Sequence, residues 1–118
     1  MKNPSYFELW YIDWNPSRGS EQSGVRPALI VQTDQANHNP KYNNTIVLAV
    51  TTKGKPVSFH IKIDPSKQNG LKDISYIKCE QIMTISKDML LNKIGDLEDI
   101  YKEKIDSALI KLVNIKNV

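Results

Sequence analysis

With 118 residues, 40% hydrophobic, 25% charged and a net charge of +3, the chain has the make-up of one globular domain long enough to bury a core without staples. No stretch is long or apolar enough for a secretory signal or a membrane span, and the lone cysteine, Cys79, excludes an internal disulfide or a multi-cysteine metal site, so a cytoplasmic protein with no membrane partner is expected. The mildly basic balance is compatible with nucleic acid but does not demand it.

Phe7 to Trp14 (FELWYIDW) is aromatic-rich with partial alternation and predicts a half-buried strand, closed by Pro16 and Gly19. A long polar stretch, Asn15 to Arg26, follows and carries Arg18, Glu21 and Arg26. Pro27 to Gln32 and Thr45 to Thr51 are short, β-branched-rich apolar runs that read as strands covered on both faces, separated by a polar loop from Asp34 to Asn44. Val57 to Ile63 (VSFHIKI) alternates strictly, with Val57, Phe59, Ile61 and Ile63 on one face and Ser58, His60 and Lys62 on the other. Pro65, Asn69 and Gly70 mark a turn, because glycine and asparagine tolerate positive φ, and another strand is predicted over Ile74 to Ile85. Ser86 can cap a short helix through Leu91, after which Gly95 breaks the chain. From Glu98 to Lys116, Ile100, Tyr101, Ile105, Ala108, Leu109, Leu112 and Val113 recur at three- and four-residue steps, an amphipathic terminal helix with Lys102, Glu103, Asp106 and Lys111 on its charged face. Short strands without alternating helices predict a small antiparallel barrel closed by this helix.

The chemistry permitted by these residues is narrow. There is no phosphate loop, dinucleotide fingerprint or metal-ligand spacing, which argues against a metal hydrolase. His38 sits in a polar loop as a solvated side chain, and His60, on the polar face of its strand, reads either as a ligand contact or as a satisfied surface histidine. Catalysis would then rest on arginine, hydroxyls and amides, groups that serve best where negative charge builds on a phosphate. Cleavage of RNA fits that inventory, since its own 2′-hydroxyl is the nucleophile.

The stretch PSRGSEQSGVRPALIVQ, from Pro16 to Gln32, resembles the signature of the MazF/PemK family, toxin endoribonucleases of bacterial type II toxin-antitoxin modules. TIVLAVTT (45–52), FHIKI (59–63), NGLKDISYIKCEQIMTISKDML (69–90) and IGDL (94–97) follow in the family's order. The resemblance implies an SH3-like antiparallel β-barrel with a C-terminal helix, the fold shared with CcdB toxins. It also implies a homodimer whose groove takes single-stranded RNA, cleavage at short motifs to 2′,3′-cyclic phosphate and 5′-hydroxyl ends, no cofactor or metal, and a MazE-like antitoxin whose disordered segment orders in the groove. By position, Arg26 and Thr51 match the family's catalytic pair. Ser20, Glu21 and Gln22 fall on its active-site loop, and Glu80 and Gln81 on its E-Q pair, all expected to contact RNA. Thr52, within a matched block, and Arg18 and Lys53, added on charge and proximity, join them. A guanidinium keeps its proton near neutral pH, so the safer role for Arg26 is electrostatic.

Three positions depart from the pattern: Phe7 and Glu8 stand where the family has Gly-Asp, Met83 stands where an arginine is common, and the first strand carries Trp10 and Trp14. Two other readings stay open. Arg26 can be a structural arginine pairing with Glu21 and Thr51 an ordinary strand-end threonine, in a catalytically dead relative. Alternatively the chain is a non-nuclease binder, as the gyrase-poisoning CcdB toxins are, since fold does not fix function.

Overall fold

The computed structural model describes residues 2–14 and 24–116. Its six strands are β1 (Glu8–Asp13), β2 (Val25–Ile30), β3 (Asn44–Thr51), β4 (His60–Ile63), β5 (Ser75–Ser86) and β6 (Leu90–Asp96). They form one antiparallel sheet in the order β4-β5-β3-β2-β1-β6. Two helices complete the described chain, α1 (Asp34–Asn37) and α2 (Lys102–Leu112). The small antiparallel β fold with a terminal helix is thus as expected from the sequence. The sheet is not closed by hydrogen bonds, however: β4 and β6 remain its two edges.

Side chains alternate across a strand, so the register divides the core in two. On one face Leu9, Leu29, Leu48, Val50, Ile63, Ile77 and Cys79 pack with Ile105 and Ala108 of α2. On the other, Trp10, Ile12, Trp14, Ala28, Ile30, Val47, Ile85 and Leu90 form a second cluster. Each fully buried aliphatic side chain contributes about 1.5–3 kcal/mol, so both clusters matter to stability.

Several elements differ from the sequence expectation for identifiable reasons. The second strand starts at Val25 rather than Pro27, so Arg26 is a strand residue and Gln32 lies outside. The loop at 34–44 contains the single helical turn α1, whose Asn37 is fully buried: its amide accepts from Gln32 and Thr45, and its carbonyl accepts from the buried Lys87 ammonium at 2.6 Å. β4 begins at His60, not Val57. The Val57 N–H turns back to Lys55 C=O and the Val57 C=O accepts from His60 N–H, so those groups are spent locally and Val57 is exposed.

The segment after Ser86 is one turn of 3₁₀ helix, capped by the Ser86 hydroxyl accepting from Asp88 N–H, and then a strand, β6, that sequence patterning missed. Gly95 does not break it. It pairs opposite Leu9, and a Cβ there would lie 2.4 Å from Gln68 C=O, so the glycine lets the 64–73 turn lie against β6. In that turn only Gly70 has positive φ (+71°); Asn69 instead contributes its buried amide, which accepts from Ser66 and Leu71 N–H and donates to Asp64 C=O and Glu98.

The terminal helix is shorter than 98–116. A 3₁₀ turn (Asp99–Tyr101) precedes it and puts Ile100 out of phase, 77% exposed. At its end Asn114 adopts φ +56°, with Asn114 N–H donating to Lys111 and Ile115 N–H to Ile110. That left-handed cap stops the helix before Val113, which stays exposed along with Leu112.

Phe7 has φ +70°, a conformation that is costly for a residue with a bulky Cβ substituent. It stands where the resembled family has glycine. Burial of its ring against Tyr6 and the helix-side core offsets that cost.

Candidate active site

The site is built on the sheet face opposite α2. Ala28 of β2 lies opposite Ala49 of β3, and the ladder between them runs only from Ala28 to Ile30. Pro27 has no N–H to extend it. Arg26 lies two residues before Ala28 on β2 and Thr51 two residues after Ala49 on β3, so both fall on the same face at neighbouring strand ends, beyond the last paired rung. Thr51 in turn pairs with Tyr76, and Tyr76 with Lys62, while the neighbouring row runs Ala49, Lys78 and His60. All of these point to one face. From Arg26 to Lys62 is three strand spacings, roughly 14 Å, bearing three cationic side chains, Arg26, Lys78 and Lys62.

Arg26 is exposed at the surface, Asp13 and Lys78 are half-buried, and all three are engaged in interactions. The half-buried Thr51 hydroxyl accepts from Lys53 N–H at 3.1 Å, which orients its oxygen and leaves its proton to donate elsewhere. Thr52 and Lys53 are exposed in the following turn. Gly54 packs on the ring of Tyr76 so tightly that a Cβ would stand 2.0 Å from Tyr76 Cγ.

Glu80 and Gln81 reach the site through an irregularity. β3 and β5 pair Ala49 with Lys78 but Leu48 with Ile82, so Cys79, Glu80 and Gln81 bulge out of the ladder. The bulge turns the Glu80 carboxylate to His60, whose Nε2 lies 2.9 Å from Glu80 Oε2. The other ring nitrogen, Nδ1, accepts from Lys55 N–H at 3.0 Å. Since Nδ1 is the acceptor, the proton sits on Nε2 and donates to Glu80. The His60 side chain is only 5% exposed, against 29% for Glu80, so this histidine is satisfied on both sides.

Arg26, Thr51, Thr52 and Lys53 therefore lie at one end of the β2–β3 pair, while Glu80 and Gln81 lie further along β5, in the bulge beyond the Ala49–Lys78 row, and connect back to that end through His60 and Lys55. Arg18, Ser20, Glu21 and Gln22 lie outside the described residues. Tyr76, Lys62, Lys78 and the His60 connection to Glu80 were missed by sequence reasoning, although the alternation of 74–78 already put Tyr76 and Lys78 on a common face. Cys79 is no nucleophile: burial foremost, with the Glu80 charge adding, pushes its thiol up to about 12. His38 is exposed, and both its Ser5 hydroxyl contact (2.8 Å) and its Asp34 contact (3.8 Å) fall on Nε2, so the three cannot relay a proton in series. No group of three His, Cys, Asp or Glu side chains that could hold a metal occurs among the described residues, and no described helix is long and apolar enough to cross a membrane.

Residues 6–113 match the family model for the PemK-like, MazF-like toxin of type II toxin-antitoxin systems. The chain belongs to this family. Endoribonuclease EndoA of Bacillus subtilis (strain 168) is 39% identical over 106 residues, covering 86% of this chain and 87% of that one. Endoribonuclease MazF of Staphylococcus epidermidis is 34% identical over 113 residues, 93% and 91% of the two chains. Among solved structures, a mycobacterial endoribonuclease in complex with its cognate antitoxin superposes with a TM-score of 0.79 at 21% identity, over 98% of this chain and 99% of that one. This last likeness shows a shared fold over nearly the whole of both chains.

Proposed function

We propose that this PemK/MazF-like toxin is a metal-independent endoribonuclease that cuts single-stranded RNA at a short sequence motif, with messenger RNA the expected target and arrest of translation and growth the result. The 2′-hydroxyl oxygen attacks the adjacent phosphorus, the bond to the 5′-oxygen breaks, and the proton lost from the 2′-hydroxyl is matched by one gained at the leaving oxygen. The products are a 2′,3′-cyclic phosphate and a 5′-hydroxyl. What supports this reading is that Arg26 and Thr51 fall on one face at neighbouring ends of β2 and β3, a face that also bears Lys62 and Lys78.

In this reading the Arg26 guanidinium binds the non-bridging oxygens as charge builds in the phosphorane and donates a hydrogen bond, without losing its proton, to the leaving 5′-oxygen. Thr51, whose oxygen is occupied by Lys53 N–H, donates its own proton to a non-bridging oxygen. Thr52, Lys53, Glu80 and Gln81 contact flanking nucleotides, and Arg18, Ser20, Glu21 and Gln22 join them on the family's loop. A homodimer in the cytoplasm is the assembly this reading requires, and a MazE-like antitoxin is its inhibitor. The mycobacterial neighbour in complex with its cognate antitoxin supports that last assignment.

The test is incubation of the wild type and Arg26→Ala with a long unstructured RNA in excess EDTA, with fragment ends identified by mass spectrometry. Discrete cuts by the wild type alone, ending in cyclic phosphate, are expected. Intact RNA from a folded dimer would overturn the nuclease assignment in favour of a binding protein, with gyrase and an antitoxin as the next ligands. Equal cutting by Arg26→Ala would remove Arg26 from the chemistry.

A further inference from the structure

The pairing of His60 with Glu80 adds a side-chain link between two segments whose backbones meet at one hydrogen bond, from Cys79 N–H to Phe59 C=O at 3.0 Å. One is the β3–β4 connection, which begins at Thr51 and carries Lys53 and Lys55; the other is the β5 bulge. His60 reaches both because it is the first residue of the edge strand β4, opposite Lys78 and beside the bulge of its neighbour β5. Its ring edge also meets Phe59, with centroids 5.2 Å apart at 89°, and its side chain is almost wholly enclosed. A ring so fixed has one role for each nitrogen. Glu80 uses Oε2 for His60, and its second oxygen has no hydrogen bond among the described residues.

We infer that His60 is a positioning residue for base selection. It latches the Lys55 backbone through Nδ1 and, through Nε2, aims the free oxygen of Glu80 at a bound base that carries an exocyclic amino group. The inference rests on the endoribonuclease reading and adds the nucleotide class that one position of the cut site takes. An ionised carboxylate only accepts hydrogen bonds, so adenine, cytosine and guanine offer it a donor. Uracil has no amino group, and its single N–H lies between two carbonyl oxygens that repel a carboxylate. Holding Glu80 before the base arrives removes the cost of ordering it, and the buried ring does that without adding charge in its neutral form.

The two nitrogens can be separated by substitution. In His60→Asn the side-chain oxygen stands where Nδ1 stood and keeps the Lys55 latch while releasing Glu80. In His60→Gln the amide nitrogen reaches where Nε2 stood and keeps Glu80 while releasing Lys55. Cleavage of an oligonucleotide pool randomised around the cut site, with KM and kcat measured on the best substrate, reads both. His60→Asn and Glu80→Gln are expected to relax discrimination against uracil at one position by about tenfold, raising KM with little change in kcat. His60→Gln is expected to keep the preference and lower kcat by about tenfold, through loosening of the turn beside Thr51.

Identical base preferences in all four proteins would overturn the inference, as would a parallel fall of kcat in both His60 variants that simply follows their loss of thermal stability. Should the variants fail to fold, nitrogen-15 NMR of the wild-type imidazole decides: the Nε2-protonated tautomer is expected, and the Nδ1-protonated one overturns the latch. A wild type that cuts no RNA in the pool overturns the nuclease reading and this one with it. A wild type that cuts with no base preference at any position overturns this inference alone.

Discussion

The two faces of the sheet are both apolar at their centres, yet they end differently. The face under α2 stays apolar to its margin, with Leu9, Leu29, Leu48, Val50, Ile63 and Ile77 closed over by Ile105 and Ala108. The opposite face starts from Trp10, Ile12, Ala28, Ile30 and Val47 and runs out at the strand ends into Arg26, Thr51, Tyr76, Lys62, Lys78 and His60. The difference teaches that one sheet divides its labour by parity. Alternate residues on the same strands hold the fold and, in the proposed reading, meet the phosphate, so a change on one face need not disturb the other.

If that division holds, the strongest effect comes from Arg26→Ala, expected to lower RNA cleavage about 100- to 1000-fold while stability in urea shifts by no more than about 0.5 kcal/mol. A large stability loss would break the comparison. On the helix face, Ile105→Ala should cost about 2–5 kcal/mol in a denaturant titration and leave the cleavage motif of the folded fraction unchanged. Gly54→Ala probes the join between the two: its Cβ would collide with Tyr76, so the ring must move, and cleavage is expected to fall about tenfold with only a small change in melting temperature. Unchanged kinetics would detach Tyr76 from the site.

Weaker and pH-dependent is Glu98. Burial pushes its carboxyl up, but the Ser66 hydroxyl, a backbone N–H and the Asn69 amide together outweigh that and hold it below its ordinary 4.5. With the folded value depressed, the stabilisation is complete above the unfolded value and is lost as pH falls through the folded one. Glu98→Gln should therefore flatten the acid side of a plot of melting temperature against pH and leave cleavage near neutrality unaltered. Smallest of all, Cys79 should resist thiol reagents at pH 8 in the folded protein and react only on unfolding. Rapid labelling of the native state would place it outside the helix-side core.

What could be read in advance follows from how local each signal is. Runs such as TIVLAVT and the amphipathic pattern around Ile105 declare a strand and a helix within a dozen residues, and both are present. The strand β6 (LLNKIGD) has no clean alternation and contains a glycine; it exists because β1 offers it a ladder and the 64–73 turn packs against Gly95. Val57 continues a perfect alternation yet is exposed, because a local turn took its backbone groups first. In the site, Arg26, Thr51, Glu80 and Gln81 were recognisable by family motif. The alliance of His60 with Glu80 was not, since it depends on three bulged residues in β5 that no periodicity records.

The amino-acid sequence by itself determined the class of chemistry and the toxin family. Guanidinium, hydroxyl and ammonium groups are properties of single residues, and the R-P and E-Q elements are contiguous. Only the tertiary structure decided that Arg26 and Thr51 come to neighbouring strand ends on one face, that the sheet stays open, that Phe7 is held with φ +70° where a glycine would be unstrained, and that a buried histidine holds a carboxylate. Each of those depends on which strand lies beside which and in what register. Register is settled by burying two apolar faces at once, a condition that no short stretch of chain can satisfy alone.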